Sequence, residues 1–342
     1  MLESGVNSTS KLMLHIHNGD AAAGTARKTE IPGEHLPWRE ALVCGPTPGG
    51  LTEDEFRSVR ARHLAEAYSV DVEKCERELR AQAEALSDFS DHEEVVLWFE
   101  HDLFCQVQLI YLLDWFAQRE LGKTKLRLIS IGEFPGVEGF RGLGELNEAQ
   151  LTELFPQRQE VSSAQLKLGS KTWQAYSSPD PLELTSLLDS DLSAIPFLKR
   201  ALSKHLERFP STKNGLGRVE NVGLELVAQG YGKFKSLFPA FAMRESDYGF
   251  GDAQFYLELK RLADGPAPLL RLSEGGRGPV TDPARMFLTS FEMTELGKAV
   301  LEGNQDFVIK NGIDYWLGGV HLKGGEADWR WEMEADELLA RL

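Results

Sequence analysis

Apolar and polar positions follow two rhythms along this chain. Residues 11–17 (KLMLHIH) alternate one by one, as a half-buried strand does. Residues 35–43 (HLPWREALV) and 125–131 (KLRLISI) read as further strands. Residues 94–99 read as a strand whose VVLWF run, 95–99, is apolar without alternation, the pattern of a strand buried on both faces. Helical stretches lie between them. A short one covers 21–26, with Asp20 as its expected N-cap. Another covers 52–68, capped by Thr52 and acidic in its first turn, where the helix dipole favours such residues. A charged helix follows at 72–86, then a long apolar one at 103–120. Smaller helices fall at 148–155, 162–176 and 181–189. Strands alternating with helices predict an α/β domain over residues 11–190, built on an open, Rossmann-like, mostly parallel sheet.

From about Pro196 the rhythm turns helical, over 197–208, 218–229, 233–244 and 252–263. The polar run PSTKNG at 210–215 reads as a hinge. Strand-like pieces at 268–272 and 286–291 flank the loop SEGGRGPVTDPA, and a helix follows at 294–301. That order predicts a winged helix-turn-helix-like domain over 196–310, with 252–263 as the recognition helix. Gln254, Tyr256, Lys260 and Arg261 are then placed for DNA contact, and Arg277 is the wing arginine. The tail, 311–342, reads as two short strands around Gly324-Gly325 that pack on the rest through Trp316, Trp329 and Trp331.

Charge sharpens this division. The chain of 342 residues carries a net −16, of which residues 1–198 hold −14 and residues 199–342 only −2. Residues 196–277 are a modest basic island of +4, the only region fit to meet nucleic acid. Three cysteines, Cys44, Cys75 and Cys105, form no C-x-x-C pair, which suits reduced thiols in a cytoplasm. The first residues lack the apolar core of a signal peptide. No stretch approaches the ~20 apolar residues of a membrane span, so no membrane partner is expected.

The candidate chemistry sits where the strands end. Ligands of open α/β sheets bind beyond the carboxyl ends of the strands. Those ends carry His17, Asn18, Gly19 and Asp20; Glu40; Glu100, His101 and Asp102; and Glu133. Cys105 and Gln106 fall on the first turn of the following helix. In a parallel sheet all these residues share one edge. Asp20, Glu100 and Asp102 form an oxygen set for Mg²⁺ or Mn²⁺. His17, Asp20, His101, Asp102 and Cys105 are the candidate catalytic groups, and Asn18, Gly19, Glu40, Gln106 and Glu133 the candidate ligand contacts. The head of the helix that begins at 103 also favours an anion. There is no G-x-G-x-x-G, P-loop or G-x-S-x-G motif.

HNGD at 17–20, IPGEHLPWREALVCGPTP at 31–48 and LWFEHDLFCQVQL at 97–109 resemble the bacterial family catalogued as domain of unknown function 1835. FPSTKNGL at 209–216 and NGIDYWLGGVHL at 311–322 are similar to the region that usually follows it. The resemblance implies that an α/β domain followed by a helical region is a recurring arrangement, and it assigns no catalytic residue.

Two functions fit these readings. One is a ligand-responsive DNA-binding regulator, whose α/β domain takes a small anionic or metal-chelated ligand. The alternative is a metal-dependent enzyme, a phosphoester hydrolase or nucleotide-processing activity, with its site at the strand ends. A protein-interaction scaffold and a homodimer are further options.

Overall fold

The computed structural model describes residues 11–273 and 282–340. The first half is built from β1 (Lys11–Asn18), α1 (Asp20–Ala26), β2 (Glu34–Trp38), α2 (Glu53–Tyr68), α3 (Val72–Ser87), β3 (His92–Glu100), α4 (Leu103–Ala117), β4 (Lys125–Ile131), α5 (Glu148–Leu154), β5 (Gln159–Glu160), α6 (Ser163–Tyr176) and α7 (Leu182–Leu188). The strands form one sheet in the order β2-β1-β3-β4-β5. The first three pairings are parallel, and only the two-residue edge strand β5 runs antiparallel. The α/β expectation therefore holds, with a mostly parallel five-stranded sheet.

Side-chain alternation sorts the two faces. Leu14, Ile16, Val95, Leu97 and Phe99 enter the large core beneath α4. Val96 and Trp98 enter a smaller core with Ala22 and Ala26 of α1 and Leu151 of α5. This explains the unbroken apolar run of β3, since both of its faces are covered. Helix α4 is buried from Cys105 to Ile110 and again from Leu112 to Phe116. It packs against α6 on one side and α8 (Leu198–Leu206) on another.

The second half contains α8, α9 (Arg218–Ala228), α10 (Phe234–Arg244), α11 (Asp252–Asp264), β6 (Leu270–Leu272), α12 (Pro283–Leu288), β7 (Phe291–Met293), α13 (Glu295–Leu301), α14 (Phe307–Asn311), β8 (Ile313–Leu317), β9 (Val320–Gly324), β10 (Trp329–Glu332) and β11 (Glu337–Ala340). β6 and β7 pair antiparallel, and the backbone at Gly232–Phe234 adds hydrogen bonds to Thr289 and Phe291. One hydrophobic core runs from Leu14 through α4, α8, α9, α10 and α11 to Leu338, so the packing does not pause at residues 190–196.

Four expectations need correction. Residues 39–43 are not an extension of β2: Arg39 is exposed, and Glu40–Val43 turn inward and are buried. Asp20 does not cap α1: it opens that helix, and Gly19, at φ 79°, stands before it. Residues 286–288 are helical, because Asp282 caps α12 through the Arg285 amide. The tail folds as two hairpins, and the first turns at Gly318-Gly319 rather than Gly324-Gly325.

The supposed hinge at 210–215 is a fastened turn. Trp331 N donates to Pro210 O at 2.9 Å, and Thr212 N donates to Trp331 O at 3.0 Å. Asn214 is buried, and its Oδ1 accepts from Ser211 Oγ at 2.8 Å and from Leu216 N at 3.1 Å. A polar side chain that supplies the hydrogen bonds of its own turn reads as flexible in sequence and is rigid in the fold.

Candidate functional site

The sheet order reverses between β1 and β3, which are neighbours in space although β2 intervenes in sequence. In open α/β sheets ligands bind at such a reversal, beyond the strand ends. Here the end of β1 supplies Asn18, the end of β3 supplies Glu100, and the head of α4 supplies Asp102 and Cys105. Glu100, Asp102 and Cys105 are all buried, and one donor atom from each lies within 4.8 Å of the others.

The local sequence explains the convergence. Asp102 caps α4: its carboxylate accepts from Cys105 N at 2.8 Å. That bond turns Cys105 back toward the strand, and its thiol donates to Glu100 Oε2 at 2.5 Å. Asn18 Nδ2 donates to the same sulfur at 2.5 Å, and Asn18 Oδ1 accepts from Gln108 Nε2 at 3.1 Å. The other Glu100 oxygen accepts from Leu143 N at 2.6 Å, and Gln106 Nε2 donates to the Glu100 carbonyl at 2.6 Å. Gln106 Oε1 is buried without a partner.

Burial dominates the electrostatics. It raises the Glu100 carboxyl above its usual range, against the pull of its Cys105 and Leu143 hydrogen bonds. Burial and the neighbouring Glu100 push Asp102 up to about 8. Burial and both carboxyls push the Cys105 thiol well above the ordinary cysteine value. Burying two carboxyls and a thiol side by side favours their protonated forms.

A cleft of about 260 Å³ opens over this cluster. Its near wall is the loop carrying Arg141, Gly142 and Glu145; its far wall comes from α10 and the turn after it, with Phe241, Glu245 and Gly249. The far wall presses close. A Cβ on Gly249, which sits at φ +62°, would lie 2.1 Å from Asp102 Oδ1. Arg141 pairs with Glu145, and Glu245 holds Arg218 at 2.5 Å. The cleft is therefore acidic and aromatic. It suits a cation better than the bare anion expected from the helix head, because the Asp102 cap already occupies the amides an anion would use.

The remaining expected residues divide. His17 points to the opposite face of the sheet, stacked on Trp98 with ring centroids 5.2 Å apart, its Nε2 2.9 Å from His35 Nδ1. Asp20 is exposed and makes a two-point ion pair with Arg39 at 2.7 and 2.8 Å. Glu40 is buried away from the cleft against Arg60 at 2.7 Å. His101 is half-buried between Phe140 and Phe197, and Glu133 is exposed. Thus Asn18, Glu100, Asp102, Cys105 and Gln106 come together, whereas His17, Asp20, Glu40, His101 and Glu133 do not join them. Sequence reading missed Gln108, Leu143, Arg141 and the α10 wall; the glycines of RGLGE at 141–145 were the available signal for a backbone approaching a ligand.

The expected nucleic-acid contacts are already engaged. Gln254 Nε2 donates to Tyr68 Oη at 2.7 Å, and Tyr256 is 2% exposed. Lys260 pairs with Asp264. Arg261 pairs with Glu220 at 2.7 Å and with Glu258, and its guanidinium lies 4.1 Å from the centre of the Tyr315 ring. Arg277 lies outside the described residues. Among the described residues no helix is long and apolar enough to cross a membrane. No family model matches this chain, and no curated protein matches it either.

Proposed function

We propose that this chain is a metal-dependent enzyme whose site is the cleft at the β1/β3 reversal, acting on a small phosphoester. The observation that carries the reading is the convergence of Glu100, Asp102 and Cys105 beneath an acidic cleft. Buried carboxyls held above their usual range are what a cation would relieve. The donor set is two carboxylate oxygens and a sulfur. A thiolate suits Zn²⁺ better than the Mg²⁺ or Mn²⁺ expected from oxygen donors alone. The ion would polarise the ester and a water molecule, and Arg141, at the rim, would meet the anionic group. Glu100 and Asp102 would give up their protons on binding and hold the ion as carboxylates. Membership of the family catalogued as domain of unknown function 1835 belongs to this proposal and adds no residue role to it.

Equilibrium dialysis against Zn²⁺, Mn²⁺ and Mg²⁺ tests the reading, followed by hydrolysis of p-nitrophenyl phosphate. One ion is expected to be retained, with protons released on binding and affinity rising with pH, because the ligands must first deprotonate. Asp102→Asn keeps the helix cap, since Asn caps as well as Asp. It is expected to lose the ion and to slow turnover by roughly a hundredfold or more. A wild-type chain that retains none of the three ions ends the proposal.

A second reading, the ligand-responsive DNA-binding regulator, has one observation in its favour. α9, α10 and α11 followed by the β6–β7 pair, with a third strand segment at Gly232–Phe234, is the element order of a winged helix. It requires α11 to leave Tyr68, Glu220 and Tyr315. It predicts duplex-DNA binding that weakens steeply with salt and is reduced by Lys260→Ala. Binding that ignores salt, or that Lys260→Ala leaves unchanged, excludes it.

A further inference from the structure

A cavity of about 900 Å³ shares no lining residue with the acidic cleft. It lies between α2 with the loop at 44–48 on one side and α11 with β8 on the other. Interiors are close-packed, so a hollow of this size between packed elements is a ligand-sized space rather than a packing fault.

Its walls are aromatic and apolar. Tyr68 stands on α2, Tyr315 and Trp316 on β8, and Val59 and Leu257 face the space from opposite helices. Its lining carries three basic side chains, Arg62, Arg208 and Arg261, against three acidic ones, Glu66, Glu258 and Asp314. Glu258 pairs with Arg261 and lies 3.7 Å from Arg208, and Asp314 holds His321 at 2.6 Å and Lys323 at 2.9 Å. Hydrogen-bonding capacity is nevertheless left over. His63 makes no hydrogen bond, and burial together with Arg60 lowers its pKa to about 3, so its ring is a neutral donor and acceptor. Tyr68 accepts from Gln254, which leaves its own hydroxyl hydrogen to give.

We propose that this cavity is a second binding site, for an uncharged planar heteroaromatic ligand of the nucleobase or nucleoside kind. Rings on the walls provide stacking surface for a flat π-system. A neutral imidazole and a phenol match a ring edge that carries both donors and acceptors. Equal numbers of arginines and carboxylates leave the lining with no excess charge to hold an ion. The ligand would touch α2 and α11 together, and so join the two halves of the chain.

The test titrates the whole protein with adenosine, guanosine, cytidine and uridine at up to millimolar concentration, following tryptophan fluorescence and calorimetric heat. At least one nucleoside is expected to bind and to quench Trp316, and Trp316→Phe is expected to remove the quench. Leu257→Trp and Val59→Trp fill the space from opposite walls, and each is expected to weaken binding by roughly tenfold or more. Circular dichroism and a cooperative urea transition show whether each variant has folded. No heat with any of the four nucleosides overturns the proposal, as does binding that survives both filling substitutions in folded protein. Since the cavity and the cleft share no residue, metal retention can fail while nucleoside binding succeeds, or the reverse.

Discussion

Arg60→Ala is expected to lower the unfolding free energy by about 4 kcal/mol. Arg60 and Glu40 are an ion pair with side chains 0% and 5% exposed. The guanidinium gives Glu40 Oε1 two hydrogen bonds, from Nε at 3.2 Å and Nη2 at 2.7 Å. It also donates to the carbonyls of Ala41 at 3.0 Å, Cys44 at 2.7 Å and Pro46 at 3.1 Å. Arg60 is thus the post around which residues 40–46 are wound. Its removal leaves a buried carboxylate without a counter-charge and three carbonyls without donors, each of which is costly in a dry interior. Glu40→Gln in the same background is expected to recover part of the loss, since it removes the stranded charge but not the orphaned carbonyls. Urea unfolding of the two variants measures both quantities. A loss below about 1 kcal/mol for Arg60→Ala, the size of an exposed ion pair, contradicts this account.

Glu40 also shows where sequence reading stops. At the end of an apolar run it looks like a strand-end ligand residue. β2 in fact stops at Trp38, two residues earlier, and the chain turns inward toward α2. No local pattern reveals that turn, because its cause is Arg60, a charge on a helix that otherwise reads as solvated surface. Asp102, Cys105 and Gln106 were legible for the opposite reason. Strand, cap and first helical turn are consecutive in the chain, so spacing alone places them on one edge. His17 defeats the same logic through parity: alternation along β1 sends Leu14 and Ile16 to one face and His15 and His17 to the other. The far wall of the cleft comes from α10, more than a hundred residues away in sequence, and only tertiary packing brings it there. Arg261 is the mirror of Arg60: an exposed-looking cation on an amphipathic helix that the fold spends on Glu220, Glu258 and Tyr315.

The second large effect is on pH. Stability is expected to be greatest near neutrality: below about pH 6.5 the buried histidines outweigh the buried carboxyls, and above it the carboxyls act alone. The acid limb belongs to the histidines packed between β1, β2 and Trp98. Trp98 Nε1 donates to His15 Nδ1 at 3.1 Å, so the ring hydrogen must be on Nε2, which lies 3.0 Å from Pro32 O. A second proton would face the indole N–H. Burial accordingly lowers His15 to about 4 and His17 well below its usual value, with His35 lowered too. Between pH 6.5 and about 4 the unfolded chain takes up protons that the folded chain refuses, so stability falls as the pH falls. His15 alone, shifted from 6.5 to about 4, accounts for about 3 kcal/mol across that window. The alkaline limb has the opposite sign. Asp102 is raised from 3.8 to about 8 and Glu100 is raised with it. As the pH rises through that interval the unfolded carboxyls have already ionised while the folded ones still hold protons, so stability falls again. Asp102→Asn keeps the cap and removes the charge. It is expected to stabilise the protein near pH 8 by about 2 kcal/mol or more and to steepen the acid limb, because ionisation of Asp102 opposes the histidines over the interval they share. Sites that bind ligands commonly carry such a penalty when empty, and a cation retained in the cleft would erase it in the wild type. Urea midpoints from pH 4 to pH 9, with and without Zn²⁺, separate the two limbs. If the variant and the wild type follow one curve above pH 7, Asp102 is ionised in the fold without penalty, and the strain attributed to the cleft is not there.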